Sequence, residues 1–188
     1  MYGINPIAIY TEEAAAVVTG LEEPSYQPFP EDWRGGPLAT YDDETRRAIA
    51  ALGAKIDTGA ATEVWDAALA APWLAAPVWV HGDIAPGNLL VQGDRLSGVI
   101  DFGQTCVGDP ACDLAIAWTF FAGESRAAFR AGLPLDRATW ARGRGWCLWK
   151  ALIIFAGLSA NQAGADDCQR IIGDVIADHR NLAAGAPP

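Results

Sequence analysis

The chain has 188 residues, of which 51% are hydrophobic and 19% are charged, and its formal net charge is −10 at pH 7. This length suits one well-cored domain better than two, and the composition is that of an ordered globular protein. The acidic excess disfavours binding to nucleic acid and to anionic lipid, and it favours cationic ligands.

Cysteine spacing and hydropathy exclude further classes of protein. The four cysteines (Cys106, Cys112, Cys147 and Cys168) form no C-x-x-C pair, so buried, reduced thiols are expected in place of zinc ligands. The N-terminus has no basic region followed by an apolar run, and the apolar segment 151–160 is too short to cross a bilayer. The sequence therefore predicts a cytoplasmic protein with no membrane segment.

The first third of the chain is predicted to be helical, with one irregular stretch. Residues 11–21 read as a short helix, and the prolines and the Gly-Gly pair of residues 22–41 predict a surface loop. Residues 42–56 begin with acidic residues and place apolar residues on one face, as an amphipathic helix does. A further helix is expected over residues 60–70.

The pattern changes after Pro77, where three short β-prone runs follow one another (VWV, NLLVQ and RLSGVID). A Gly-Asp pair separates the last two runs and predicts a hairpin over residues 89–100. Helices are then predicted over residues 111–121, 125–131, 136–160 and 166–183, with Gly143 and Gly145 as weak points of the third.

Polar residues in residues 78–118 fall in an order typical of kinases. The segment contains H-G-D-x-x-x-x-N, then D-F-G, then D-P-x-x-D, which places His81, Asp83, Asn88, Asp101, Asp109 and Asp113 in sequence. In protein kinases the first aspartate of this order accepts the proton of the acceptor hydroxyl, and the asparagine and second aspartate hold magnesium. Each piece alone would be read as turn residues, but their ordered combination favours a phosphoryl-transfer site.

The spacing has a physical reason. Asn88 opens one strand of the predicted hairpin, and the second strand returns Asp101 to the same end. An amide oxygen and a carboxylate oxygen would then meet, and Mg²⁺ needs few protein oxygens when nucleotide phosphates and water complete its shell.

This segment resembles the catalytic core of the aminoglycoside phosphotransferase and choline kinase family. Gly82 stands where protein kinases usually have arginine, and the VGDPACDLA run is similar to the helix start that follows the metal aspartate in the family. The resemblance covers residues 35–156 and is strongest over residues 78–118. It implies an α+β fold, namely the mainly helical C-terminal lobe of a protein-kinase-like fold with a small β-hairpin carrying the catalytic and metal residues.

The resemblance also implies site roles, cofactors and substrates. Asp83 would be the catalytic base, and Asn88 and Asp101 would bind Mg²⁺. The donor would be ATP or GTP, and the acceptor would be a hydroxyl group of a small molecule, such as an aminoglycoside or macrolide antibiotic. Such an activity would confer antibiotic resistance.

Other residues of the segment are assigned supporting roles by the same resemblance. His81 is expected to be a buried orienting group, Asp113 to accept hydrogen bonds beneath the catalytic loop, and Asp109 to cap the following helix, with Pro110 at its first position. Leu90 and Ile100 could form the floor under the nucleotide base, and ordinary core packing would explain these two side chains equally well.

Kinases of this family place a β-rich lobe with a phosphate-binding lysine before the catalytic loop. Residues 1–82 instead read as helices and a loop, with Lys55 inside a predicted helix. The sequence therefore predicts a single domain over 1–188, the larger lobe alone, with the ATP-gripping N-terminal lobe absent. Weak nucleotide binding, little turnover and self-association through the face left by the missing lobe are the expected consequences. The alternative function is an inactive remnant or a small-molecule-binding module.

Overall fold

The computed structural model describes residues 34–74, 78–93, 95–133, 135–160 and 164–183. The helix predicted over residues 11–21 and most of the loop predicted over residues 22–41 lie outside these ranges. Within them, the α-helices are α1 (Asp42–Leu52), α2 (Thr58–Leu69), α3 (Ile116–Thr119), α4 (Gly123–Ala131), α5 (Arg137–Phe155) and α6 (Cys168–Ala183). The strands are β1 (Val78–Val80), β2 (Leu89–Gln92), β3 (Arg95–Val99) and β4 (Cys106–Gly108).

The first two helices confirm the sequence pattern, although α1 ends earlier than predicted. Three acidic residues occupy its first turn, where the helix dipole favours negative charge. It ends at Leu52 because Gly53 adopts a φ of 49°, and the chain continues as a 3-10 turn over Gly53–Lys55. The Asp57 side chain caps α2 by accepting a hydrogen bond from the backbone N–H of Ala60.

Helix α5 is the centre of the core, packed against α2, α6 and a 3-10 segment at Pro110–Ala115. The helix is continuous through Gly143 and Gly145, the two positions predicted to be its weak points. A Cβ atom at Gly143 would lie 2.9 Å from the Leu114 Cβ, and one at Gly145 would lie 2.6 Å from the Ala68 Cβ. Both glycines therefore allow close packing of neighbouring elements.

The prediction of one continuous helix over residues 111–121 is corrected by the structure. The structure has a 3-10 helix over Pro110–Ala115, and regular α-helix only over the four residues of α3. In this conformation Leu114 reaches the Gly143 position of α5, and the Asp113 side chain reaches the loop after β1. We attribute the departure from α-helix to these tertiary contacts, which override local propensity.

The strands form two separate two-stranded antiparallel ladders. The predicted hairpin is confirmed as the β2–β3 ladder, in which Leu89 pairs with Val99 and Gln92 with Arg95. The β1–β4 ladder was not predicted, because the run after the D-F-G motif was not recognised as a strand. The chain thus passes twice between the ladders, once through residues 81–88 and once, in return, through residues 100–105.

The described residues form a mainly helical α+β fold. All four cysteines are free and buried, which confirms the sequence prediction. None of the helices described is long and apolar enough to cross a membrane.

Candidate active site

The loop after β1 is held from beneath by the carboxylate of Asp113. Its Oδ2 accepts the backbone N–H of His81 and its Oδ1 accepts the backbone N–H of Gly82, each at 2.8 Å. Asp113 is buried, and this burial raises the pKa of its carboxyl group, whereas the two amide hydrogen bonds act in the opposite direction. The carboxylate therefore fixes the backbone immediately before Asp83.

The imidazole of His81 joins the two segments that pass between the ladders. Its Nδ1 accepts the backbone N–H of Asp83 at 3.2 Å, and its Nε2 lies 3.0 Å from the carbonyl oxygen of Ile100. This pattern requires the neutral tautomer with its proton on Nε2. Because both ring nitrogens are engaged, the geometry suits an orienting group better than a base.

The backbone at Gly82 explains why this position is glycine. Its φ is 79°, in the left-handed region, and a Cβ atom there would lie 2.5 Å from the carbonyl oxygen of Gln104. The arginine usual in protein kinases could not occupy this backbone without displacing the returning segment.

Asn88 connects the loop to the returning segment. Its Nδ2 donates to the carbonyl oxygen of Asp83 at 2.8 Å and lies 3.5 Å from the Asp83 Oδ2. The backbone carbonyl oxygen of Asn88 accepts the backbone N–H of Ile100 at 2.9 Å. Asp101 is therefore the next residue along the opposing segment. The three polar residues are therefore brought to one end of the β2–β3 hairpin.

Asp101 has a φ of 63° and is the only non-glycine residue with positive φ in the described ranges. Strained backbone of this kind costs about 1–3 kcal/mol and is concentrated at functional sites. The Asp101 side chain is exposed.

The donor set fits magnesium. The amide nitrogen of Asn88 points at Asp83, and its amide oxygen accepts no hydrogen bond from the described residues. Within those residues no group of three or more His, Cys, Asp or Glu side chains could hold a metal ion. A metal here would rest on the oxygens of Asn88 and Asp101 together with phosphate and water oxygens, which is usual for Mg²⁺.

Arg34 is a site residue that the sequence analysis missed. Its Nη1 donates to the Asp83 Oδ1 at 2.7 Å and to the carbonyl oxygen of Gly82 at 3.0 Å. The side chain of Arg34 is 26% exposed and that of Asp83 is 36% exposed. Arg34 and Asp83 are 49 residues apart in sequence, and no local pattern links them.

A second cation, Lys150 of α5, lies near the same loop. Burial and the charge of Arg34 lower the pKa of its ammonium group, whereas Asp83 and Glu44 raise it. Lys150 is one of only two lysines in the chain, the other being Lys55. Sequence reasoning gave no role to either cation beside Asp83.

The remaining predicted residues divide into two groups. Leu90 and Ile100 are 46% and 43% exposed, so core packing does not explain them.

Asp109 is buried and caps the 3-10 helix by accepting the N–H of Ala111 at 3.1 Å. It also forms a buried ion pair with Arg142, with 2.6 Å between Nε and Oδ2, and therefore anchors α5.

A loop carboxylate, an amide and a second carboxylate meeting beside a hairpin are typical of enzymes that transfer phosphoryl groups. The phosphotransferase enzyme family (APH) matches residues 6–146. The chain belongs to this family, because the match covers well over half of its residues.

Curated relatives match a shorter segment. The homoserine kinase of Methylocella silvestris is 52% identical over 44 residues, which are 22% of this chain and 14% of the relative. The homoserine kinases of Zymomonas mobilis and Brucella anthropi are 50% and 46% identical over the same length and shares. The match thus spans about a seventh of the length of these relatives. No solved structure matches the chain.

Proposed function

We propose that the chain transfers the γ-phosphoryl group of ATP or GTP to a hydroxyl group of a small molecule. The observation that supports this most strongly is the meeting of Asp83, Asn88 and Asp101 at one end of the hairpin, with the hydrogen bonds through Asn88 already formed. The described residues would form the large lobe of a kinase-like enzyme, the part that bears the base and the metal ligands.

In the proposed reaction the acceptor oxygen forms a bond to the γ-phosphorus, and the bond from that phosphorus to the β,γ-bridging oxygen breaks. The electron pair leaves with the nucleoside diphosphate, and the hydroxyl proton passes to the carboxylate of Asp83. Asn88 and Asp101 would hold Mg²⁺, which supplies charge neutralisation on the phosphates. Leu90 and Ile100 would lie under the nucleotide base.

Binding of the donor phosphates is the weakest part of the proposed site. Residues 1–33 contain no lysine or arginine, and none of the described strands carries a lysine. Phosphoryl transfer depends largely on positioning and charge stabilisation of the phosphates. We therefore expect slow turnover by this chain alone, below the roughly 1–100 per second typical of kinases.

Two acceptor classes have separate support. The family resemblance supports an aminoglycoside or macrolide, whereas the short match to homoserine kinases supports a small hydroxylated amino acid. The cations Arg34 and Lys150 beside Asp83 favour the second class, because they would repel a polycationic acceptor.

A phosphorylation screen tests this proposal. The purified chain would be incubated with Mg²⁺ and either ATP or GTP, together with an aminoglycoside, a macrolide or L-homoserine, and phosphorylated products would be sought by mass spectrometry. We expect slow, magnesium-dependent phosphorylation of at least one acceptor, which chelation of the metal abolishes. Nucleotide binding without any acceptor phosphate would support the binding-module alternative. Absence of both nucleotide binding and acceptor phosphorylation would contradict the proposal.

A further inference from the structure

The two carboxylate oxygens of Asp83 face different neighbours. Oδ2 lies 3.5 Å from the Asn88 Nδ2, and Oδ1 lies 2.7 Å from the Arg34 Nη1. Asn88 and Asp101 mark the side on which donor phosphates would be held. In phosphoryl transfer the attacking and leaving oxygens are roughly in line through phosphorus, so the acceptor approaches from the other side. With the donor phosphates on the Asn88 side, Arg34 would lie on the acceptor side of the base.

The main chain at Arg34 is held firmly in place. Its carbonyl oxygen accepts a hydrogen bond from the Cys106 thiol at 2.9 Å, and the carbonyl oxygen of Gly35 accepts the N–H of Asp109 at 2.8 Å. The approach of Gly35 to β4 is so close that a Cβ at Gly108 would lie only 2.3 Å from the Gly35 oxygen. The guanidinium thus reaches the Asp83 loop from an anchored backbone.

Part of this guanidinium is available to a ligand. Nη1 makes both bonds to the loop, to Asp83 and to the Gly82 carbonyl. Nε and Nη2 have no hydrogen-bond partner within the described part of the chain. A guanidinium binds carboxylates through two parallel N–H groups, which gives both strength and orientation.

Lys150 adds a second positive charge. It is half-buried on α5, with its Nζ 5.7 Å from the centre of the Trp149 ring. Burial first, and then the charge of Arg34, lower the pKa of Lys150, whereas the charges of Asp83 and Glu44 raise it. An anion close to both cations would offset their mutual repulsion.

We propose that Arg34 binds a carboxylate group of the acceptor and thereby selects hydroxy acids over uncharged or cationic acceptors. This inference rests on the proposed function, because the acceptor side is defined by the role of Asp83. The acceptor group proposed here is anionic, whereas the net charge of the chain favours cationic ligands. Surface charges farther away than about 8–10 Å are largely screened at physiological salt, so the net charge of the chain does not decide which group binds beside Arg34.

The test compares ω-hydroxy acids of three to six carbons with their uncharged amides. Binding of each compound to the full chain without nucleotide would be measured by calorimetry. The proteins would be the wild type, Arg34→Gln and the control Arg47→Gln, since Arg47 is exposed on α1 and, among the described residues, donates to the backbone of Asp43.

We expect the wild type to bind at least one acid more tightly than its amide. Arg34→Gln should weaken binding of that acid by roughly tenfold to a hundredfold and change amide binding by less than about twofold. Arg47→Gln should have no effect on the binding of either compound. Where transfer is measurable, Arg34→Gln should raise KM for the acid more than it lowers kcat.

The proposal would be overturned if the wild type bound every acid and its amide equally. It would also be overturned if Arg34→Gln weakened binding of the acid and binding of the amide by the same factor. Binding of a fluorescent ATP analogue with Mg²⁺ would be measured on the same samples. If Arg34→Gln weakens nucleotide binding and spares the acid, Arg34 serves the donor and the proposal is wrong. If the wild type prefers the acid but binds no nucleotide, the anion subsite stands and the proposed phosphotransferase function fails.

Discussion

Asp83→Asn is expected to reduce phosphoryl transfer by about two to four orders of magnitude, the range typical of general base catalysis. The asparagine side chain has nearly the same shape, but its amide cannot accept the hydroxyl proton at neutral pH. The Asp83 side chain is 36% exposed, so little packing depends on it. Initial rates with Mg²⁺-ATP and the thermal midpoint Tm, measured on the same preparation, test both expectations.

Asp43→Asn is the matched control, because Asp43 is an exposed aspartate in the first turn of α1. This variant should keep the wild-type rate. Near-wild-type transfer by Asp83→Asn at unchanged Tm would remove Asp83 from the mechanism. A large fall in Tm would instead indicate that the ion pair with Arg34 is needed for folding.

Asp113→Ala should destabilise the protein as well as inactivate it. The change leaves the buried N–H groups of His81 and Gly82 without their acceptor, and each unsatisfied group costs about 1–3 kcal/mol. The free energy of unfolding should therefore fall by about 2–5 kcal/mol, as measured by urea denaturation. Activity should fall in addition, because displacement of the loop by about 1 Å can cost a hundredfold in rate.

Two variants distinguish this role from a general effect of removing an acid. Asp113→Asn keeps one acceptor oxygen and should be less destabilised than Asp113→Ala. Asp167→Ala removes a carboxylate whose side chain is 64% exposed and should change stability little. If Asp113→Ala proves as stable as Asp167→Ala, the two amide hydrogen bonds do not hold the loop.

The sequence predicted the parts of the fold that depend on local patterns. Helix α1 follows from an acidic first turn and an apolar face, and the β2–β3 hairpin follows from two β-prone runs around a glycine turn. The hairpin also placed Asn88 and Asp101 at the same end, because antiparallel pairing fixes which residues share its open end.

Features that depend on distant contacts were not predictable in this way. Strand β4 has three residues and pairs with β1, more than 20 positions earlier, so it has no periodicity or adjacent turn to reveal it. Gly143 and Gly145 look like helix breakers until their neighbours on the 3-10 segment and α2 are known. Arg34 is the first cationic residue of the chain and precedes a Gly-Gly pair, a signal too weak to indicate contact with Asp83.

Binding of a metal–nucleotide complex tests the central claim, that Asn88 and Asp101 hold a divalent cation beside Asp83, most directly. Mn²⁺ can replace Mg²⁺, and its binding in the presence of ATP can be followed by water-proton relaxation, without knowledge of the acceptor and without turnover. We expect the wild type, Asp83→Asn and Asp43→Asn to bind Mn²⁺-ATP with similar affinity, and Asp101→Asn to bind it at least about tenfold more weakly, because a charged ligand is lost. Equal binding of Mn²⁺-ATP by wild type and Asp101→Asn, or no binding by either, would contradict the account.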